Sequence, residues 1–170
     1  MSKKRRNQKA RGTVLKKRKT FTKFCAIFGQ EVELKATQAN KDVAREFVAE
    51  ACKIIETQQY KWKPLTQRYL DRKIREGYDK RTLIRTQEYL DAISWGVTPT
   101  GRIWAGVPPH KIHQDSGLPM FVLAKIHEFG TETIPARQLW RPLISRFVRQ
   151  KPKFGERYRK AIAQAMKRAG

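Results

Sequence analysis

Residues 125–146 read KIHEFGTETIPARQLWRPLISR, and the way this stretch divides decides the fold. Together with Leu123 and Ala124, the run up to Phe129 has the spacing of about two helical turns, and Gly130 stops it. A turn follows, and Thr133 to Trp140 reads as a strand. Pro142 suits the first turn of a helix whose apolar face is Leu143, Ile144, Phe147 and Val148. Lys151, Pro152 and Lys153 interrupt that helix, and a further helix is expected from Phe154 to Lys167.

Upstream, PPHKIHQDSGLPM (108–120) is a polar connection in which mobility is expected. GRIWAGV (101–107) alternates as a strand between Gly101 and Pro108. Residues 80–93, KRTLIRTQEYLDAI, have the spacing of a third helix carrying Leu83, Ile84, Leu90 and Ile93, or else their end feeds directly into a strand. In QYKWKPLTQRYLDRKIREG (59–77), Pro64 opens a helix with Leu65, Tyr69, Leu70 and Ile74 on one face, and Gly77 ends it. From Asp42 to Thr57, Val43, Phe47, Val48, Ala51, Cys52, Ile54 and Ile55 recur at helical steps, with Asn40 as a candidate cap. The aromatic and β-branched content of FTKFCAIFGQEVELKA (21–36) suggests two short strands turning at Gly29 and Gln30, with a helix edge as the other reading. Helices at both ends of a set of short strands predict an α+β fold: a small mixed or antiparallel sheet packed with several helices, and basic terminal arms. The expected division is a flexible basic arm (1–20), one α+β domain (21–150) and a basic C-terminal helix or arm (151–170).

The chain's 170 residues suit one domain, and 39% hydrophobic content is enough for a core. No apolar run reaches the length of a membrane span or a signal-peptide core. The two cysteines, Cys25 and Cys52, suggest buried thiols in a reducing cytoplasm rather than a disulfide or metal framework. The net charge of +23 is unevenly placed. Residues 1–20 carry ten Lys or Arg and no acid, and residues 141–170 carry ten against Glu156 alone. The middle of the chain is nearly balanced. Dense like charge is relieved by a polyanion or an acidic surface. The candidate polyanion contacts are Lys3, Lys4, Arg5, Arg6, Lys16, Lys17, Arg18 and Lys19 at one end, and Lys151, Lys153, Arg157, Arg159 and Lys160 at the other. No finger spacing, basic zipper or RNA-binding strand pattern accompanies them.

Little here points to catalysis. His110, His113 and Asp115 sit in the polar connection with no third His or Cys nearby, so no metal site is assigned. His127 and Glu128 are adjacent and do not face each other on a helix, and no activated nucleophile stands beside them. There is no Gly-rich phosphate turn and no nucleophile elbow, so no cofactor, small-molecule substrate or catalytic residue is expected. Trp62, Trp104 and Trp140 each have basic neighbours, which permits base stacking, but core or interface packing is the simpler reading.

The 125–146 stretch resembles the virion-morphogenesis, or tail-completion, family of tailed bacteriophages. Its members carry a His-Glu-Phe-Gly turn, then Ile-Pro-Ala-Arg-Pro-Phe, then a final helix. His127, Glu128, Phe129 and Gly130 match the first part, and Ile134, Pro135, Ala136 and Arg137 the second. Gln138 and Leu139 replace Pro-Phe. KWKPLTQRYLDRKIREG (61–77) is similar to the family's Trp-x-Pro-Leu segment. LIRTQEYLDAISW (83–95) is similar to Leu-Ile-x-Thr-Gly-x-Leu-x-x-Ser-Ile, with Gln87 in place of Gly. The resemblance covers roughly residues 42–148. It implies a non-enzymatic subunit of a ring at the phage neck or tail, contacting itself and other virion proteins, with packaged DNA beside the arms. It implies no membrane, and a location in the virion after assembly in the host cytoplasm. It also implies interface roles for His127, Gly130, Pro135, Arg137, Trp140 and Arg141.

Overall fold

Apolar steps of three and four extend further upstream than the aromatic content of residues 21–36 suggests. Phe24, Ile27, Phe28, Val32 and Ala36 are all at least partly covered, whereas Phe21 and Leu34 face outward. A computed structural model describes the backbone over residues 2–169 and the side chains over 21–150 and 152–168. In it the whole segment belongs to one helix, α1 (Ser2–Glu56). The two strands expected over 21–36 do not form: a helical face outweighs β-branched content, and Gly29 costs a helix only about 1 kcal/mol. Asn40 therefore lies within α1 rather than capping it. The arm expected over 1–20, with its eight candidate polyanion contacts, falls outside the described side chains, as does Lys151.

The remaining elements are α2 (Gln67–Arg75), α3 (Glu88–Ala92), β1 (Ser94–Val97), β2 (Ile103–Gly106), α4 (Met120–Phe129), α5 (Trp140–Arg149) and α6 (Lys151–Ala169). The chain is mostly helical, with one small antiparallel two-stranded sheet and basic residues at its termini and surface. No helix among the described residues is long and apolar enough to cross a membrane.

Two compact units divide the chain. The first joins residues up to Asn40 with those from Pro152 onward. Here α6 runs antiparallel to α1: Tyr158 donates its hydroxyl to Asn40 Oδ1, and Arg168 Nη1 lies 3.4 Å from Glu31 Oε2. Phe24 and Phe28 stack at 5.9 Å, and Ala165 is fully buried. The charge of α6 stays outward, with Lys153, Arg159 and Lys160 exposed and Arg157 over the Phe154 ring. Cys25 is exposed on α1, against the expected burial, because it lies off the covered face.

The second unit, Lys41–Lys151, holds a core of Ala51, Ile54 and Ile55 from α1, Tyr89 and Ala92 from α3, Met120 and Ala124 from α4, and Leu143 from α5. Ile84 and Leu139 enter from connections. Each fully buried Ile or Leu contributes about 1.5–3 kcal/mol, which fixes the helices around this centre. β1 and β2 form a hairpin in the register Trp95↔Ala105 and Gly96↔Trp104. The Trp104 indole lies across Gly96, where a Cβ would come within 2.9 Å of it. The 108–119 connection is pinned by Lys111 Nζ donating to Asp91 O at 2.9 Å and by Gln114 N–H donating to Glu88 Oε2 at 2.9 Å.

Three further expected elements change. The helix expected to open at Pro64 starts only at Gln67, because Thr66 is extended (φ −64°, ψ 145°), so Pro64 and Leu65 lie in the segment before it. The third helix is confined to Glu88–Ala92, because Leu83 (φ 64°) and Gln87 (φ 64°) have left-handed backbones. The Lys73 ammonium also takes the carbonyls of Arg81 and Ile84, which a helix over 80–87 would need. The strand expected over Thr133–Trp140 is an irregular loop entering α5. Its backbone donors at Arg137, Leu139 and Trp140 are taken by the end of α4 and cannot pair in a sheet.

Candidate partner-binding cleft

Residues 127–141 form a hook in the second unit. Gly130 leaves α4 at φ 76°, and a Cβ there would sit 2.8 Å from both Ala136 N and Ile134 O. Only glycine fits a left-handed crossing this tight. The chain then turns back, with Thr131 N–H donating to Ile134 O at 2.8 Å and Arg137 N–H donating to His127 O at 2.6 Å.

Glu128 locks the other end of the hook. Its side chain is buried, and its carboxylate accepts N–H bonds from Leu139, Trp140 and Arg141, each at 2.9 Å. These are the orphan donors that open α5, whose cap position is Leu139, a residue with no acceptor. A carboxylate at a helix N-terminus also meets the favourable end of the helix dipole. Glu128 is thus a cap supplied from the preceding helix, which accounts for the burial of an acid here.

The hook forms one wall of a cleft of about 520 Å³. The other walls come from the segment before α2 and its first turns (Lys63 to Lys73), from Leu83 to Tyr89, and from Leu123 in α4. Trp62 Nε1 donates to Gln138 O at 2.9 Å and joins the Trp-Lys-Pro-Leu segment to the hook. The Tyr89 ring meets the His127 imidazole edge-on at 5.5 Å. The lining is mainly apolar, holds several cationic or basic side chains and includes no Asp or Glu.

The polar groups of the lining differ in how far they are satisfied. Lys73 is 2% exposed and donates to Arg81 O at 3.0 Å and Ile84 O at 2.6 Å. Burial lowers its pKa, which Asp79 partly offsets while Arg85 and Arg137 reinforce it. Arg85 lies 3.4 Å from Glu76 and 3.5 Å from Asp115, with its guanidinium over the Tyr78 ring. Burial, with help from Arg137 and His113, pushes His127 down to about 4, so its imidazole is neutral at pH 7, and Nδ1 is buried without a partner. Arg137 is 7% exposed, and its Nε is also buried without a partner. Burial lowers its pKa, and only Tyr69 acts in the other direction. No carboxylate among the described residues pairs with it.

Of the six residues assigned interface roles, His127, Pro135 and Arg137 meet on the cleft wall, and Gly130 makes the crossing behind them. Trp140 turns into the core, stacked on Phe47 at 6.0 Å. Arg141 is exposed, with its guanidinium 4.6 Å from the centre of the exposed Phe129 ring. His110 is exposed, His113 Nδ1 bonds Ser116 Oγ at 2.9 Å, and Asp115 faces Arg85. No group of three His, Cys, Asp or Glu among the described residues could hold a metal ion. Sequence reasoning missed Lys73, Tyr69, Tyr89 and the capping role of Glu128. For Glu128 a signal existed: a helix begins at Leu139–Trp140 with no capping side chain, so its donors need an acceptor from elsewhere. Comparison of the chain with protein-family models, curated proteins and solved structures finds no match.

Proposed function

We propose that the chain is a non-enzymatic assembly subunit of a tailed bacteriophage. In this reading it completes the head-proximal end of the tail, or joins tail to head, as one member of a ring. The α+β tail-completion-like domain expected over residues 21–150 then has its core in the unit Lys41–Lys151, and the basic termini lie beside packaged DNA or acidic partner surfaces.

One observation carries the reading: the three sequence blocks that resemble the tail-completion family converge on one cleft. Trp62 of the first bonds Gln138 of the third, and Tyr89 of the second packs on His127 of the third. Gln87, which stands where the family has glycine, has the left-handed backbone that glycine adopts most easily. The acids near the cleft are engaged structurally: Glu128 caps α5, and Glu76 and Asp115 pair with Arg85. These roles support action by contact rather than catalysis.

Electron microscopy of virions and isolated tails tests the reading. A stoichiometric ring of this chain at the neck is expected, and Arg137→Ala should impair ring formation or tail–head joining while the subunit still folds. Complete, head-joined tails that lack the chain would overturn it. The second reading is an autonomous, non-specific nucleic-acid-binding protein. It is favoured by the charge of the terminal segments, and it predicts no ring.

A further inference from the structure

We propose that the Arg137 cleft receives a carboxylate carried on an apolar stem: a Glu or Asp side chain set among apolar residues on a partner protein. The attribution to a virion partner rests on the assembly reading, whereas the recognition chemistry rests on the cleft itself.

Arg137 is held in place before any ligand arrives. Its backbone is tied to His127 O, and its side chain is enclosed among the cleft walls. An arginine stays charged at neutral pH, and a buried charge left unpaired costs several kcal/mol. Within the unit little offsets that cost: the lining has no acid, Arg137 Nε is buried without a hydrogen-bond partner, and only Tyr69 favours the charged form. Of the other basic groups, Lys63 is exposed to solvent and those further in are engaged or neutral. Lys73 is bonded to two carbonyls, Arg85 is flanked by Glu76 and Asp115, and His127 is neutral at pH 7. Arg137 is therefore the buried guanidinium of the cleft that has no carboxylate beside it.

That charge selects the ligand's class. A carboxylate brings one negative charge and two oxygens that match the planar donor fork of arginine. A phosphate monoester brings nearly two charges to be dehydrated beside a single buried guanidinium, which repays that cost less well. Leu65, Ile84, Leu123, Ile134 and Pro135 supply apolar walls for the stem. Burying an apolar side chain beside the ion pair excludes water and strengthens the pair.

The test uses the full chain and three blocked tripeptides: acetyl-Leu-Glu-Phe-amide, its Gln counterpart and its phosphoserine counterpart. Binding is followed by NMR shifts of the Arg137 side-chain N–H and the His127 ring. The Glu peptide is expected to bind at least about tenfold tighter than either of the others, as befits a desolvated ion pair. Its binding should also raise the His127 pKa, because the bound carboxylate offsets the repulsion from Arg137. Arg137→Gln should erase the Glu-over-Gln preference. If that variant fails to fold, Thr133→Glu is the alternative, because Thr133 is exposed on the lining and the new carboxylate would compete for Arg137. It should weaken the Glu peptide at least about fivefold. Equal binding of the Glu and Gln peptides, tighter binding of the phosphoserine peptide, or no binding of any peptide at millimolar concentration would each overturn the proposal. So would a folded Arg137→Gln that keeps the preference. A ring at the neck without peptide selectivity would discard the cleft proposal alone, and selectivity without a ring would discard the neck reading alone.

Discussion

Replacing Glu128 with alanine tests whether a single carboxylate holds the start of α5. The substitution removes the acceptor of three N–H bonds, each 2.9 Å long. Leu139 is buried, so its N–H loses its partner without access to water, at about 1–3 kcal/mol. The donors of Trp140 and Arg141 are closer to solvent and can be hydrated, so each loses about 0.5–1.5 kcal/mol. The one buried methylene that is lost, Cγ, adds about 0.8 kcal/mol. Against these losses, the variant no longer dehydrates a carboxylate, which cost the parent a few kcal/mol. The net expectation is about 3 kcal/mol of destabilisation. Glu128→Gln keeps the volume and one oxygen but turns an NH₂ toward backbone donors, and should lose about 2 kcal/mol. All four tryptophans lie within Lys41–Lys151, so urea unfolding followed by tryptophan fluorescence reports this unit. A loss below about 1 kcal/mol for Glu128→Ala, with the unfolding slope unchanged, would refute the capping argument.

Gly130→Ala combines a left-handed backbone with two contacts at 2.8 Å to backbone atoms that cannot swing aside; it should cost about 2–4 kcal/mol in the same urea experiment. Gln87→Gly relieves a left-handed non-glycine residue worth about 1–2 kcal/mol and adds about 0.5–1 kcal/mol of unfolded-state entropy. It should be neutral or slightly stabilising in thermal melts, and a clear loss would mean that the Gln87 side chain has a role of its own. His127 has a folded pKa of about 4 against an ordinary 6.5. The unfolded chain therefore binds the extra proton first, so stability is full above about pH 6.5 and falls by up to about 3 kcal/mol toward pH 4. His127→Phe should flatten that window in stability-versus-pH measurements. Asp79 is held down to about 2 by its hydrogen bonds to Arg81, so its contribution fades at still lower pH and is separable.

The parts of the fold that could be read in the sequence are those fixed by neighbours in the chain. The stop at Gly130 and the restart near Pro142 each follow from residues within a turn of the boundary. Residues 21–36 are misleading because Phe, Ile and Val favour strands when pairing partners exist, whereas here the segment is helical and meets α6 at Glu31–Arg168. The loop over 80–87 was hidden for a different reason. Lys73, a residue type normally solvated, reaches from α2 to take its carbonyls. The six proposed interface residues came from motif order, and only their three-dimensional placement separates the cleft-lining Arg137 from the core-packed Trp140. Glu128 was legible as a letter in a motif but not as a cap, because its donors lie 11 to 13 residues ahead and meet it only through the Gly130 crossing.

That short reach has a consequence in time as well as in energy. The bonds from Glu128 to the start of α5 close loops of 11 to 13 residues, whereas Trp62 meets Gln138 across 76. Closing the shorter loop sacrifices less chain entropy, so α4, the hook and α5 can assemble as a local nucleus before the earlier segment docks. Mutations at Leu143 should then slow folding, while those at Trp62 should chiefly speed unfolding. The cleft is in this sense the last part of the unit to exist: its floor forms at once, and its opposite wall arrives from the older end of the chain.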